Sequence, residues 1–188
     1  HSLWPSFTNV PNEFVEAYFP LRVETYEFIV DSGGAGLHRG GNGLSVAYRF
    51  LVDGHIGIHD DRWLTYPWGV NGGKPGQRST KLLVRADGSE EHIPAKCEGV
   101  KVNKGDLLYF NTWGGGGWGD PLQRDASIVA SDVAKKLVSV EGALRYGVVI
   151  KDDLTLQEKE TAELRAEMSK DTVPDEMFNF GGTIDEIK

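Results

Sequence analysis

The sequence predicts an α+β fold: a mostly antiparallel domain of short strands, followed by two or three helices. Three observations predict it. From Leu21 to Trp113, short alternating or β-branched stretches recur between glycine- and aspartate-based turn signals. After Asp120, capping residues and helical spacing take over. Between these parts lies Thr112-Trp113-Gly114-Gly115-Gly116-Gly117-Trp118-Gly119-Asp120-Pro121. Glycine loses more backbone entropy on folding than any other residue, so such a run implies positive φ or a group lying against bare backbone. The two tryptophans are expected to anchor the run in a core. Gly114, Gly115, Gly116 and Gly117 make a candidate loop for an anionic or carbonyl group. A sharp structural turn is the competing reading.

A chain of 188 residues fits one domain, or one domain with an appendage. Its organisation reads as an extended N-terminal segment (residues 1–20), a β-rich domain with glycine-rich loops (21–120), a helical segment with a short strand (121–150), and a charged helix and tail (151–188). Hydrophobic content of 39% and 26% charged residues are ordinary for a globular protein. A net charge of −8 argues against a nucleic-acid partner. Cys97 stands alone, which excludes an internal disulfide and fits a reducing compartment. No apolar run is long enough to span a membrane. The first residues do not read as a signal peptide, so the expected location is the cytoplasm. The chain opens on His1-Ser2-Leu3-Trp4-Pro5 without an initiator Met, which reads as a fragment of a longer chain.

In order, Asn12 to Glu16 suits one helical turn before Pro20 stops it. Leu21 to Val30 alternates, with Leu21, Val23, Thr25 and Glu27 on one side and Arg22, Tyr26 and Phe28 on the other. A second glycine-rich stretch, Asp31 to Gly43, carries His38 and Arg39, which could orient an anion; a wide bulged hairpin with solvated polar groups is the plainer reading. Leu44 to Val52 is the returning strand, Asp53-Gly54 a hairpin turn, and His55 to His59 a third strand. His55 and His59 share a face but lie roughly 13 Å apart, too far for one metal. Asp60 or Asp61 pairing Arg62 explains the next polar cluster.

Trp63 to Ser79 reads as a loop. Gly69 to Lys74 resembles a nucleotide-binding loop one residue short, with Pro75 where Ser or Thr must meet magnesium, so it is rejected. Gly114 to Gly119 also meets the dinucleotide glycine spacing, without the βαβ context that would give it meaning. Thr80–Val84 and Glu91–Pro94 flank an Asp87-Gly88 turn. Val100 to Asp106 is a short strand and turn. Leu107 to Trp113 is nearly continuous apolar and reads as the most buried strand. Cys97 reads as a buried inert thiol. Asp125 caps a helix to Leu137 with Val129, Val133 and Leu137 as its stripe; Ser139 caps another, ended by Gly147. Val148 to Ile150 reads as a last strand. Thr155 to Glu158 is a capping box opening a charged helix to Ser169. Leu3, Trp4, Phe7, Met177, Phe178 and Phe180 have no local core, so partner surfaces are their expected home.

Several strings carry a family resemblance: Arg22-Val23-Glu24 with Tyr26, Asp31-Ser32-Gly33-Gly34-Ala35-Gly36, Arg39-Gly40-Gly41-Asn42-Gly43, Gly114 to Gly119 with Asp120-Pro121-Leu122, Arg124-Asp125, and Tyr146-Gly147-Val148-Val149. From Pro11 to Ile150 the chain resembles the C-terminal third of the hydantoinase B/oxoprolinase family. Trp4 to Glu13 and His59 to Trp68 resemble its ketone-carboxylase branch, acetophenone and acetone carboxylase, more than the lactam hydrolases.

The resemblance implies a division of labour. A hydantoinase A-like partner uses ATP with magnesium to phosphorylate an enolate or amide oxygen, and the hydantoinase B side then carboxylates a ketone or opens a cyclic amide. It implies any divalent metal in the upstream two-thirds of the subunit, so no metal ligand is assigned to this chain and no cofactor is expected to bind it directly. The implied partners are that hydantoinase A-like subunit, the remaining N-terminal portion of the same subunit, and a small ketone or cyclic amide; no nucleic acid or membrane is among them. The carboxylase subunit is the first expectation. A hydantoin, 5-oxoproline or lactam hydrolase is the second, and a structural segment with chemistry elsewhere the third. Candidate catalytic residues are His38, Arg39, Asp60 and Arg62. With Lys74, three of them (His38, Arg39 and Arg62) are the cations nearest the glycine loops.

Overall fold

A computed structural model describes residues 10–171 and 177–182. The fold is α+β. Helix α1 (Asn12–Tyr18) precedes eight strands: β1 (Leu21–Phe28), β2 (Leu44–Phe50), β3 (Gly54–His59), β4 (Gly69–Val70), β5 (Thr80–Val84), β6 (Glu90–His92), β7 (Lys96–Val102) and β8 (Leu107–Asn111). Helices α2 (Ala126–Ala134), α3 (Val140–Ala143) and α4 (Glu158–Met168) follow, and β9 (Phe178–Asn179) comes last. An antiparallel sheet runs in the order β1-β2-β8-β5-β6, with β3·β7 and β4·β9 as separate pairs.

Two apolar clusters hold these layers. Phe50, Ile58, Leu83, Ile93, Val102 and Leu108 fill the space between the large sheet and the β3·β7 ribbon. Val129, Val133, Val138, Ala143, Tyr146, Val148 and Ile150 form the helical core, and Ala35 from the first glycine-rich stretch is buried among them.

The helical turn expected at Asn12 to Glu16 is present and runs seven residues as α1, whereas residues 1–9, with Leu3, Trp4 and Phe7, lie outside the described residues. Several sequence expectations are corrected. Asp53-Gly54 does not fold β3 back on β2. The Asp53 carboxylate instead accepts the Lys104 N–H at 2.7 Å, and β3 pairs with β7. Strand β8 is central, but Leu108 is its one buried residue, whereas β2 buries Val46, Ala47 and Phe50. Continuous apolarity marked a strand with two covered faces, not the strand with least exposure. Cys97 is half-buried at a sheet margin, its thiol donating to the Pro94 carbonyl at 3.2 Å. Val148 and Ile150 are buried without forming a strand; Ile150 makes an isolated bridge to Leu156.

The helical caps follow the sequence more closely. Asp120 accepts from the Leu122 N–H and opens a short 3-10 turn at Pro121; Asp125 accepts from Ser127, and Ser139 from Gly142. Gly147, at φ 61°, ends the turn after α3. Helix α2 stops at Ala134 rather than Leu137, because Lys136 turns left-handed at φ 58°. Thr155 does not cap α4. Its N–H is taken by the Asp153 carboxylate at 3.0 Å, and the helix starts at Glu158 after Gln157, which makes no side-chain cap. Thr161 is the one buried residue of α4.

Asp106 closes the turn between β7 and β8 and is 1% exposed. Its carboxylate accepts the N–H groups of Asn103 and Ala86 and the Arg85 guanidinium, each at 3.0 Å. Burial pushes its pKa up, but these donors outweigh burial and hold it below the ordinary carboxylate value. A folded pKa below the unfolded one contributes stability above the unfolded value, lost as pH falls through the folded one. Asp106→Asn is therefore expected to widen the stability gap from wild type at neutral pH and to close it in acid. Urea denaturation across that range measures the gap, and a pH-independent gap would count against the assignment.

Candidate functional site

The two glycine-rich stretches and the loop before β5 meet in a bundle of backbone. Gly114 and Gly117 donate to the carbonyls of Gln77 and Lys74 at 3.0 and 2.9 Å. Lys74 and Gln77 donate in turn to Ala35 and Ser32 at 2.7 and 2.8 Å, and Gly34 donates to Gly115 at 2.8 Å, closing a cycle among three segments. Gly115 and Trp118 donate to Gly41 and His38 at 2.8 and 2.9 Å. Donors and acceptors recur every third residue, the repeat of a polyproline II helix, which makes no hydrogen bonds within itself.

This arrangement explains the glycines. A Cβ on Gly114 would stand 1.8 Å from the Ser32 carbonyl oxygen, one on Gly116 1.8 Å from that of Trp68, and one on Gly117 2.1 Å from that of Ala35. Close backbone approach excludes side chains here, and φ is positive at Gly119 (74°) but at none of Gly114 to Gly117. The N–H groups of Gly114, Gly115 and Gly117 are spent on neighbouring carbonyls; that of Gly116 has no such partner among the described residues. The flanking tryptophans are not core anchors: Trp113 and Trp118 are 38% and 46% exposed. Segment Gly69–Lys74 is likewise absorbed, with Gly73 donating to Val70 at 3.0 Å and Lys74 to Ala35.

The predicted side chains divide into two pairs. His38 is exposed and lies 5.5 Å from the Trp118 ring, across a bridge that joins their backbones. Arg62 is half-buried with φ 57°, its guanidinium 4.4 Å over the Trp68 ring. Arg39 and Asp60 are held inside. Arg39 donates to the Gly40 carbonyl at 2.7 Å and to Asn42 Oδ1, and its Nε lies 3.5 Å from Asp132. Asp132 also accepts from Arg124 at 2.9 Å, so one carboxylate serves two guanidiniums. Nearby, the Tyr146 hydroxyl is buried without a hydrogen-bond partner among the described residues, and burial pushes its pKa up despite the arginines around it.

The expected pairing of Asp60 or Asp61 with Arg62 is not made. Asp60 pairs with the fully buried Lys81, whose ammonium lies 4.2 Å from the Phe110 ring, and Asp61 pairs with Lys96 at 3.1 Å. A bend after β3 turns consecutive side chains toward different strands. A cleft of about 280 Å³ opens beside Lys81, lined by Trp63, Thr80, His92, Ile93 and Pro94.

Lys81 and Asp132 were missed in sequence, although each left a signal. Lys81 has the same strand parity as Leu83, and Asp132 adjoins Val129 and Val133 on the buried side of α2. Among the described residues, no three His, Cys, Asp or Glu side chains gather closely enough to hold a metal, and no helix is long and apolar enough to cross a membrane.

Comparison with known proteins gives these features a family. Residues 1–121 match the model of the hydantoinase B/oxoprolinase family. The chain is 37% identical to an uncharacterized protein of Methanocaldococcus jannaschii, over 84% of this chain and 28% of that one. It is 32% identical to the B-type subunit of a putative D-/L-hydantoinase from a Pseudomonas species, over 87% and 28%. It is 35% identical to the beta subunit of caprolactamase from Pseudomonas jessenii, over 82% and 27%. The crystal structure of ATP-dependent caprolactamase from that organism superposes with a TM-score of 0.69 at 29% identity, over 83% of this chain and 28% of that one. Nucleotide-free acetone carboxylase superposes with a TM-score of 0.70 at 22% identity, a likeness of fold alone, over 90% and 28%. The chain thus spans about 28% of the length of the first two of these curated relatives. The chain belongs to the hydantoinase B/oxoprolinase family.

Proposed function

We propose that this chain is part of a hydantoinase B-type subunit in an ATP-dependent enzyme that opens a cyclic amide. The 35% identity to a caprolactamase subunit over 82% of the chain carries that substrate class. A hydantoinase A-like partner binds ATP with magnesium and activates the amide oxygen. The remaining portion of the subunit holds any divalent metal, and the assembly works in the cytoplasm. Within it, the glycine bundle is a stiff floor in which the Gly114, Gly115 and Gly117 donors are already used. Arg39 and Asp60 position its surroundings through Asp132 and Lys81, while His38 and Arg62 remain at its rim to meet the rest of the assembly.

A second reading, carboxylation of a ketone, rests on the strings Trp4 to Glu13 and His59 to Trp68, which resemble the ketone-carboxylase branch. One assay separates them. The enzyme purified with its partner chains is expected to release phosphate from ATP in step with ring opening of caprolactam, hydantoin or 5-oxoproline. Labelled bicarbonate entering acetone or acetophenone, with no ring opened, would install the carboxylase instead.

A further inference from the structure

Two arginines on the bundle's outer face place their guanidiniums over aromatic rings. Arg62 lies 4.4 Å over Trp68 and Arg78 lies 5.0 Å over Tyr66. The Ser79 N–H donates to the Arg62 carbonyl at 2.9 Å, so the two pairs are joined through the backbone. The segment Met177 to Gly182 lies alongside them. Phe178–Asn179 pairs with Gly69–Val70, the Phe180 ring lies 5.8 Å from that of Trp68 at a tilt of 54°, and Gly181 approaches Tyr66 closely. Trp68, Phe178 and Phe180 are 39%, 43% and 61% exposed.

The charge on this face is unbalanced. Among the described residues Arg39, Arg49, Arg85, Arg124 and Arg145 each pair with a carboxylate, whereas Arg22, Arg62, Arg78 and Arg165 make no ion pair, and of these Arg62 and Arg78 are held over aromatic rings. The adjacent acids face elsewhere, Asp60 to Lys81 and Asp61 to Lys96. In a chain of net charge −8, two half-buried guanidiniums over rings thus have no ion-pair partner among the described residues. A guanidinium held over a ring can still present edge N–H groups to a carboxylate; Arg78 uses Nη1 on the Trp63 carbonyl at 3.3 Å, which leaves its Nη2 and Nε edge for such a contact. Arginine beside tryptophan and tyrosine is the composition of interface hot spots, and its mix of charge and ring suits a separable chain better than an obligate core.

We propose that the Arg62–Trp68 and Arg78–Tyr66 pairs, with Phe178 and Phe180, form a docking face for a carboxylate-bearing segment of a separate polypeptide chain. This rests on the proposed multi-chain assembly but is independent of the substrate class. Two independent guanidiniums flanking exposed phenyl rings call for an occupant with both carboxylates and apolar side chains, which a small anion lacks.

The test uses the full chain and a synthetic peptide of Glu and Leu, with a Lys-for-Glu peptide and inorganic phosphate as comparisons. Tryptophan fluorescence is expected to report binding of the Glu peptide that weakens with added salt. The Arg62→Gln/Arg78→Gln variant is expected to lose roughly tenfold in affinity with an unchanged melting temperature. Should that variant not fold, NMR of the wild-type chain decides: the Nε–H signals of Arg62 and Arg78 must shift with the Glu peptide. Equal binding of both peptides, equally tight binding of phosphate, or no binding of the Glu peptide each overturns the proposal. No ATP or amide is involved, so a failure here leaves the ring-opening assay untouched, and the reverse.

Discussion

Gly116→Ala is expected to destabilise the chain by about 1–3 kcal/mol or more, the range for forcing extra atoms into a packed interior. The new Cβ would stand 1.8 Å from the Trp68 carbonyl oxygen, a backbone atom that cannot rotate aside. Gly116 is not left-handed, so the expected loss comes from collision and not from dihedral strain. Gly41→Ala is the control, since nothing lies within 4 Å of a Cβ built there. For a chain of this size, each 1 kcal/mol moves the melting temperature by roughly 2–4 °C, so thermal melts resolve the pair. Gly116→Ala melting like wild type would remove the backbone contact from the account of this loop.

The second large effect is expected at Asp132. Asp132→Ala leaves Arg39 and Arg124 without their shared carboxylate, and those side chains are only 14% and 12% exposed. Removing one partner of a buried ionic group costs about 3–5 kcal/mol, mainly because the remaining charge stays buried and unpaired. The loss should reach beyond α2, since Arg39 sits in the glycine-rich stretch and the Arg124 guanidinium also donates to the Leu37 carbonyl at 2.9 Å. Tyr146→Phe is expected to be nearly neutral in the same urea titrations, because its hydroxyl has no partner to lose. A mild Asp132→Ala beside a severe Tyr146→Phe would reverse the assignment of this cluster.

Local features were legible in the sequence wherever a short stretch determines its own geometry. The Asp87-Gly88 turn, with Gly88 at φ 86°, and the caps at Asp120, Asp125 and Ser139 are of this kind. Pairing between distant segments was not legible. Nothing around Asp53-Gly54 says that β3 belongs with β7, and nothing near Asp60 names Lys81, twenty-one residues on, as its partner. The glycine run is legible in the sequence as the centre of the chain, and the two physical reasons for such a run apply to different glycines. Close approach accounts for Gly114, Gly116 and Gly117, whereas positive φ accounts only for Gly119. His38 is exposed and Arg62 half-buried beside the bundle, whereas Arg39 and Asp60 are held in ion pairs with Asp132 and Lys81. That division depends on which strand each side chain faces, which no single stretch encodes.

The cycle of hydrogen bonds among residues 32–35, 74–77 and 114–117 also bears on how the chain reaches its fold. The three segments are separated by about forty residues each, and none can satisfy its own backbone alone. Loop-closure entropy must be spent twice before the cycle returns anything, which is the signature of slow, high-contact-order folding. The bundle should therefore assemble late and open as one unit, with amide protons exchanging together. Such a centre has no partly formed version to populate, so the geometry at its rim is either complete or absent.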